Sequence, residues 1–460
     1  MTRSKKAVKQ SAGRQERSDR GKTPAPVIDP YLPANGNFGY RVSRYDLELE
    51  YKVAINRLTG SATITAATLA SLRSFTLDLS DALTVTKVSV NGRRPAQFRS
   101  SQNKLHITLS DALPAGAAMT VAVRYSGTPR PIHSLWGEVG FEELTEGVLV
   151  AGQPNGAASW FPCDDHPSAK ASFRIKISTE SPYYAIANGE LVSRRARAGM
   201  TTWTYEQAEP TSTYLATLQI GMYSRHRMTR NGVEMHAVLP NRLRRNFDKD
   251  FADQPQMMKL FAKLFGPYPL ATGYTVVVTD DDLEIPLEAQ GISIFGANHC
   301  DGQGSAERLI AHELAHQWFG NSVTAQRWRH IWLHEGFACY AEWLWSEHSG
   351  GQNADEWAWH YYQRLAASPR DLLLADPGPR DMFDDRVYKR GAMTLHVLRR
   401  RIGDDSFFAL LRDWTARHRH STVVTDDFTG LASHYATESL RPLWDAWLYS
   451  TDLPALDSPS

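Results

Sequence analysis

The chain has 460 residues, of which 42% are hydrophobic and 22% charged. That length suggests roughly two to three domains with large cores, and the balance is ordinary for a globular protein. A formal net charge of +1 leaves no global field to gather nucleic acid or an anionic membrane. No apolar run approaches the roughly 18–20 residues of a membrane-spanning helix. Cys163, Cys300 and Cys339 are too scattered for a disulfide framework and form no C-x-x-C pair. A reducing cytoplasm is the simplest fit, and any metal ligands are expected among other residue types.

Residues 1–24 carry Arg3, Lys5, Lys6, Lys9, Arg14, Arg17, Arg20 and Lys22 against Glu16 and Asp19. No apolar stretch follows this charged start, so it reads as a disordered basic tail and not as a secretory leader. From Tyr45 the period becomes two: Tyr45 to Tyr51 alternates apolar and acidic residues, the mark of a half-buried strand. Short strands are expected to continue at 61–69, 75–79, 85–90, 105–109 and 119–125. Asn91-Gly92, after 85–90, is a hairpin signal. After a loop region, further strands are expected at 173–178, 184–188, 202–205 and 213–221. Near residue 226 the character changes. Residues 233–239 and 274–279 read as strands, 250–265 as a helix ending at Gly266-Pro267, and 293–295 as an edge strand. From Ala306 to about Leu448 most segments are helical, with one break at Asp376-Pro377-Gly378-Pro379. The expected division is a tail at 1–24, a β domain at 25–225 and an α+β domain at 226–460.

The chemistry concentrates between Ala311 and Glu342. His312, Glu313 and His316 form an H-E-x-x-H pattern. On a helix, residues four apart share a face, so both imidazoles can address one ion while Glu313 holds a water as general base. Eighteen residues separate His316 from Glu335, which stands in the apolar run Ile331 to Ala338. A carboxylate in such surroundings needs a partner, and zinc supplies one. Two His and one Glu leave a fourth tetrahedral position open, the catalytic kind of site.

The stretch from His312 to Asn321, with Trp332 to Ala338, resembles the gluzincin zinc aminopeptidases of the aminopeptidase N and leukotriene hydrolase family. Other segments agree in order. Trp160–Pro167 resembles the family's W-F-P-C-x-D-x-P, Phe265–Pro269 the segment opening the catalytic helices, and Val387–Ala392 the V-Y-x-K-G-A pattern. The resemblance runs from about Asp29 to Leu453. It implies a multi-domain chain: an N-terminal all-β domain, then a thermolysin-like α+β catalytic domain with a mainly helical C-terminal half. It also implies a short form without the large helical domain that commonly follows, and hence a more open cleft.

The same resemblance distributes roles. Tyr388 would donate a hydrogen bond to the tetrahedral intermediate, where developing charge needs a donor besides the metal. The family's G-x-M-E-N place reads Ile285 to Gly291 here: Glu288 keeps the carboxylate that would bind the substrate's α-amine, with Ile285 and Ala289 as altered neighbours. Asp280, Asp281, Asp282 and Glu284 are competing carboxylates, expected in a solvated loop. Gln153 matches a glutamine reaching in from the β domain. Glu342, two turns beyond Glu335, matches a carboxylate that orients a ligating imidazole. His236, His299, His330 and His334 lack ligand spacing and are expected to be surface or structural; Cys339 is expected to be a small core residue without a partner.

The expected function is therefore a zinc aminopeptidase with one Zn2+ per chain. Its partners are peptides with a free N-terminus, with no nucleic acid or membrane. The alternatives are an endopeptidase or epoxide hydrolase on the same scaffold, or a non-catalytic binding protein. The last would be marked by loss of Glu313 or a zinc ligand, and both are present.

Overall fold

The computed structural model describes residues 28–229 and 232–456. The basic tail expected at 1–24 lies outside the described residues. Alternating burial builds the first half. Strand Tyr40–Lys52 buries Tyr40, Val42, Tyr45, Leu47, Leu49 and Tyr51. Its parity changes once, at a bulge between Val42 and Arg44 that shifts the register against Arg57–Thr68. Tyr40–Lys52 also pairs in parallel with Lys170–Glu180 (Tyr45 opposite Phe173), so segments far apart in sequence meet at the middle of one sheet. That sheet has seven strands, in the order 190–197, 200–212, 170–180, 40–52, 57–68, 118–127 and 83–90.

A five-stranded sheet follows the order 184–187, 218–221, 147–151, 137–144 and 132–134. Three of its strands, Ile132–Ser134, Gly137–Leu144 and Gly147–Ala151, fall where a loop is expected from sequence. Gly137, Gly140 and Gly147 interrupt the alternation there and mask it. Asn91 and Gly92 do make a tight turn, with Val90 and Arg93 exchanging backbone hydrogen bonds. The strands on either side of it enter different sheets, however, so it is not a simple hairpin.

The second half opens with a five-stranded sheet ordered 224–227, 235–239, 274–278, 292–295 and 287–289. Ile292–Phe295, expected at the edge, is interior and wholly buried. The edge strand is Leu287–Ala289, antiparallel to it, with Glu288 opposite Ser293. The helix expected over 250–265 is Gln254–Phe265, and a separate helix, Arg244–Asp250, precedes it. Among the described residues seven helices follow: 307–315, 332–349, 354–366, 385–402, 404–417, 425–433 and 441–447. None of the described helices is long and apolar enough to cross a membrane.

Polar contacts join the halves beside the metal motif. The Tyr214 hydroxyl donates to the Gly320 carbonyl at 3.2 Å. Lys170 Nζ donates to the carbonyls of Asn321 and Ser322 at 2.9 and 2.8 Å. Asn188 Nδ2 bridges the carbonyls of Leu215 and Gln290 at 2.9 and 3.0 Å.

Candidate metal centre

His312 lies on helix Glu307–Ala315, and His316 follows its last residue in αR conformation, with its N–H on the His312 carbonyl. Both rings therefore share one face, 4.8 Å apart between centroids. Glu335 stands in the first turn of helix Trp332–Ser349, where the helix dipole favours a carboxylate. Glu335 Oε2 lies 3.4 Å from His312 Nε2 and 3.5 Å from His316 Nε2. Tetrahedral ligands ~2.0–2.1 Å from a zinc ion stand about 3.3–3.4 Å apart, so these three atoms are spaced to hold one.

The tautomers agree. The Nδ1 of His312 is 2.7 Å from Glu342 Oε1, and the Nδ1 of His316 is 3.0 Å from the Phe319 carbonyl. Neither acceptor offers a proton, so each imidazole carries one on Nδ1, and Nε2 is the atom that each ring turns toward Glu335. Burial works against a charged His316, yet Glu288 and Glu335 carry its pKa up to about 10. Burial likewise opposes an ionised Glu335, but His316 and the contacts to both imidazoles hold it below the usual carboxylate range. The pocket calls for positive charge. Glu313, beside both rings, has a fully buried Oε2 without a hydrogen-bond partner. Burial pushes its pKa up to about 7, against the pull of His312 and His316.

Tyr388 approaches through a close helix crossing. A Cβ on Gly336 would lie 2.8 Å from the Gly391 Cα, and one on Gly391 would lie 2.7 Å from the Gly336 Cα. Only glycine at both positions lets helix Asp385–Ile402 touch the Glu335 helix there. Tyr388, one turn before Gly391, then lays its ring over His312, 6.0 Å away and tilted by 22°. Burial, then the carboxylates of Glu335, Glu288 and Glu313, keep its phenol protonated and able to donate.

Glu288 comes in from the edge strand. Its carboxylate groups with Glu313 and His316, all within 4.8 Å. Gln153 Nε2 donates to Glu288 Oε1 at 2.7 Å, so the glutamine does reach across from the β half. Two side chains that sequence reading passed over lock this strand to the motif. Gln317 Nε2 and Asn321 Nδ2 both donate to the Ala289 carbonyl, at 3.1 and 2.9 Å, and Gln317 Oε1 accepts the Gly291 N–H at 2.8 Å. Their signal was position alone: both belong to the stretch that carries the two histidines.

The remaining expectations divide. Glu342 does orient His312, and Arg308 Nη1 in turn grips both its oxygens at 3.0 and 2.9 Å. Asp280 pairs with Arg242, and Asp281 accepts from the Thr145 hydroxyl at 2.6 Å, so neither faces the metal cluster. His236, His299, His330 and His334 are all buried; His334 Nε2 accepts the Ala325 N–H at 2.6 Å. Cys339 is buried as expected but has a partner, Lys389 Nζ, at 3.5 Å.

Two family models match the chain: the peptidase M1 N-terminal domain over residues 42–215 and the peptidase family M1 domain over residues 251–447. The chain belongs to peptidase family M1. Aminopeptidase M1-D of Oryza sativa subsp. japonica is 26% identical over 451 residues, 90% of this chain and 50% of that protein. Aminopeptidase N of Lactococcus lactis is 26% identical over 332 residues, 65% of this chain and 38% of that protein. The chain thus spans half or less of the length of these relatives. The M1 zinc metallopeptidase of Deinococcus radiodurans superposes with a TM-score of 0.86 at 28% identity, covering 95% of this chain and 100% of that one. A variant of that metallopeptidase has been solved with a Tyr-Ser-Ala substrate bound. Yeast LTA4 hydrolase shares the fold, with a TM-score of 0.77 at 21% identity over 96% of this chain and 72% of that one.

Proposed function

We propose that this M1 chain is a zinc aminopeptidase that releases the N-terminal residue of peptides. The observation that carries this reading is Glu288, held by Gln153 beside the metal triad. A carboxylate there fixes a substrate ammonium and so places the first peptide bond over the triad. His312, His316 and Glu335 are the ligands of one Zn2+, and Glu342 holds His312 in its ligating tautomer.

Zinc, when bound, polarises the scissile carbonyl and lowers the pKa of the attacking water. Glu313, with its unpartnered buried oxygen, takes that water's proton and passes it to the leaving amine. Tyr388 donates its phenolic proton in a hydrogen bond to the carbonyl oxygen as charge builds there. Glu288 and Gln153 hold the amine end. The β unit at 25–225 supplies Gln153, and the unit at 226–460 supplies the rest. Three free, buried cysteines support a cytoplasmic setting.

The deciding experiment compares one peptide with its N-acetylated form. An aminopeptidase cleaves the first and spares the second. Equal cleavage would sink the reading in favour of an endopeptidase. Turnover of an epoxide with no cleavage of any peptide would favour the epoxide hydrolase.

A further inference from the structure

A cavity of about 180 Å³ lies where the two halves of the chain meet, and no residue of the metal cluster lines it. Arg41, Asp164 and Lys170 stand in its wall from the first half, His420 and Thr422 in its wall from the second. The one carboxyl group among its lining residues is Asp164. One Asp164 oxygen accepts the Asn37 N–H at 2.7 Å, and burial beside Asp78 pushes its pKa up to about 8, so it is neutral at pH 7. The cations have no such offset. Lys170 Nζ gives two protons to the carbonyls of Asn321 and Ser322, at 2.9 and 2.8 Å, which leaves a third. Burial that no carboxylate opposes lowers its pKa to about 7.

The second wall adds two buried polar atoms without partners. His420 sits on left-handed backbone, φ 57°, with its N–H on Ser322 Oγ at 3.2 Å. Arg419 Nε donates to His420 Nε2 at 3.1 Å, so the ring carries its proton on Nδ1. Burial, then Lys170 and Arg419, hold its pKa down to about 4, and the ring is neutral with that single N–H. Nδ1 is buried and has no hydrogen-bond partner, and the same is true of Thr422 Oγ1. A buried donor without an acceptor is costly, and here two of them border the same space as Lys170 and Arg41. What the space lacks is negative charge and several acceptor oxygens at once.

We propose that this cavity binds a small tetrahedral oxyanion of the phosphate class, held by Lys170, His420 and Thr422 with Arg41 alongside. Such an ion has room there and offers an acceptor to each donor in the two walls. It ties residues 41–170 of the first half to the segment at 420–422 of the second. The site is separate from the peptide-cleaving centre and does not depend on the aminopeptidase reading.

The test titrates inorganic phosphate into the zinc-loaded full chain by calorimetry and follows the melting transition, with chloride at matched ionic strength as the control. Wild type binds phosphate with a Kd of about a millimolar or tighter, and the transition rises by a few degrees at saturation. Chloride leaves it in place. Thr422→Val removes one hydroxyl at constant shape, and His420→Gly removes the ring while accepting the left-handed backbone. Each weakens phosphate by about fivefold or more, the scale of one hydrogen bond, and leaves cleavage of an aminoacyl anilide unchanged. His420→Asn, which puts an amide where Nδ1 stood, keeps part of the affinity. Lys170→Met abolishes binding; because Lys170 also holds two carbonyls, the Thr422 and His420 variants decide the matter if it fails to fold. No heat beyond dilution in wild type would overturn the site and leave the cavity to water. Phosphate binding undiminished in both Thr422→Val and His420→Gly, as for an anion on the metal ion, would overturn it as well.

Discussion

Asp78, Asp164 and Asp165 meet in the β half much as Glu288, Glu313, Glu335 and Glu342 meet in the second half. In each place several carboxylates lie together out of water. The first cluster is closed upon itself. Lys104 Nζ lies 2.5 Å from Asp78, which also accepts the N–H groups of Gly36 and Asp165 at 3.0 and 3.0 Å. Asp164 accepts the Asn37 N–H at 2.7 Å and Asp165 the Thr213 hydroxyl at 3.0 Å. Burial, with Asp78 alongside, pushes Asp164 and Asp165 up to about 8, so they hold protons at neutral pH. The second cluster is open. Glu335 Oε2 faces the Nε2 atoms of two imidazoles, and Glu313 keeps an oxygen with no donor. Buried acids alone therefore do not mark a metal site. Ligand atoms that converge on one point, beside a buried oxygen that no donor satisfies, do.

The largest effect that would test this contrast is chemical. Glu313→Gln is expected to retain one zinc per chain while kcat falls by about a thousandfold or more, since a general base contributes on the order of 10²–10⁴. Near-normal turnover in that variant would break the mechanism. Next comes the support of the ligands. Glu342→Ala should weaken zinc binding by about 10–100-fold in chelator competition. Asp164→Asn, in the closed cluster, should leave zinc content untouched. A loss of zinc in both would erase the distinction. Glu288→Gln should cost about tenfold or more in kcat/KM on free-amine peptides, the scale of one hydrogen bond to a charged group. It should also shrink the gap between free and acetylated substrates; an unchanged gap would remove Glu288 from amine binding.

The smallest effect is on stability against pH. Asp164 and Asp165 have folded-state pKa values raised from 3.8 to about 8. Their stabilising contribution is fully present below 3.8 and is lost as pH rises through about 8, because the fold then holds carboxylates it buries poorly. The melting transition of the β half should therefore drop between pH 6 and pH 9, by a few degrees. Asp165→Asn should flatten the slope. A transition that rises over the same range would contradict protonated aspartates in the closed cluster.

Reading the chain in one dimension succeeded where chemistry follows local spacing. His312 and His316 share a face because helical residues four apart always do. It failed where the deciding contact is far away in sequence. Strands 132–134, 137–144 and 147–151 are hidden by glycines and become visible only when 147–151 pairs with 218–221. Ile292–Phe295 looked like an edge because its partner, Leu287–Ala289, is only three residues long. Gln317 and Asn321 gave no sign that they hold the Glu288 strand, and Arg308 gave none that it holds Glu342.

By itself, then, the order of residues placed the reactive groups: two imidazoles and a glutamate at metal-site spacing, a second glutamate between the imidazoles, and an ordered set of segments shared with one family. Helical periodicity and covalent order suffice for that. The tertiary structure alone decided how the open cluster at Glu335 is completed. Gly336 against Gly391 brings Tyr388 over His312, and the Ala289 carbonyl, held by Gln317 and Asn321, brings Glu288 beside Glu313. These are contacts between segments tens of residues apart, and only the packing of helices and sheet determines which of them close.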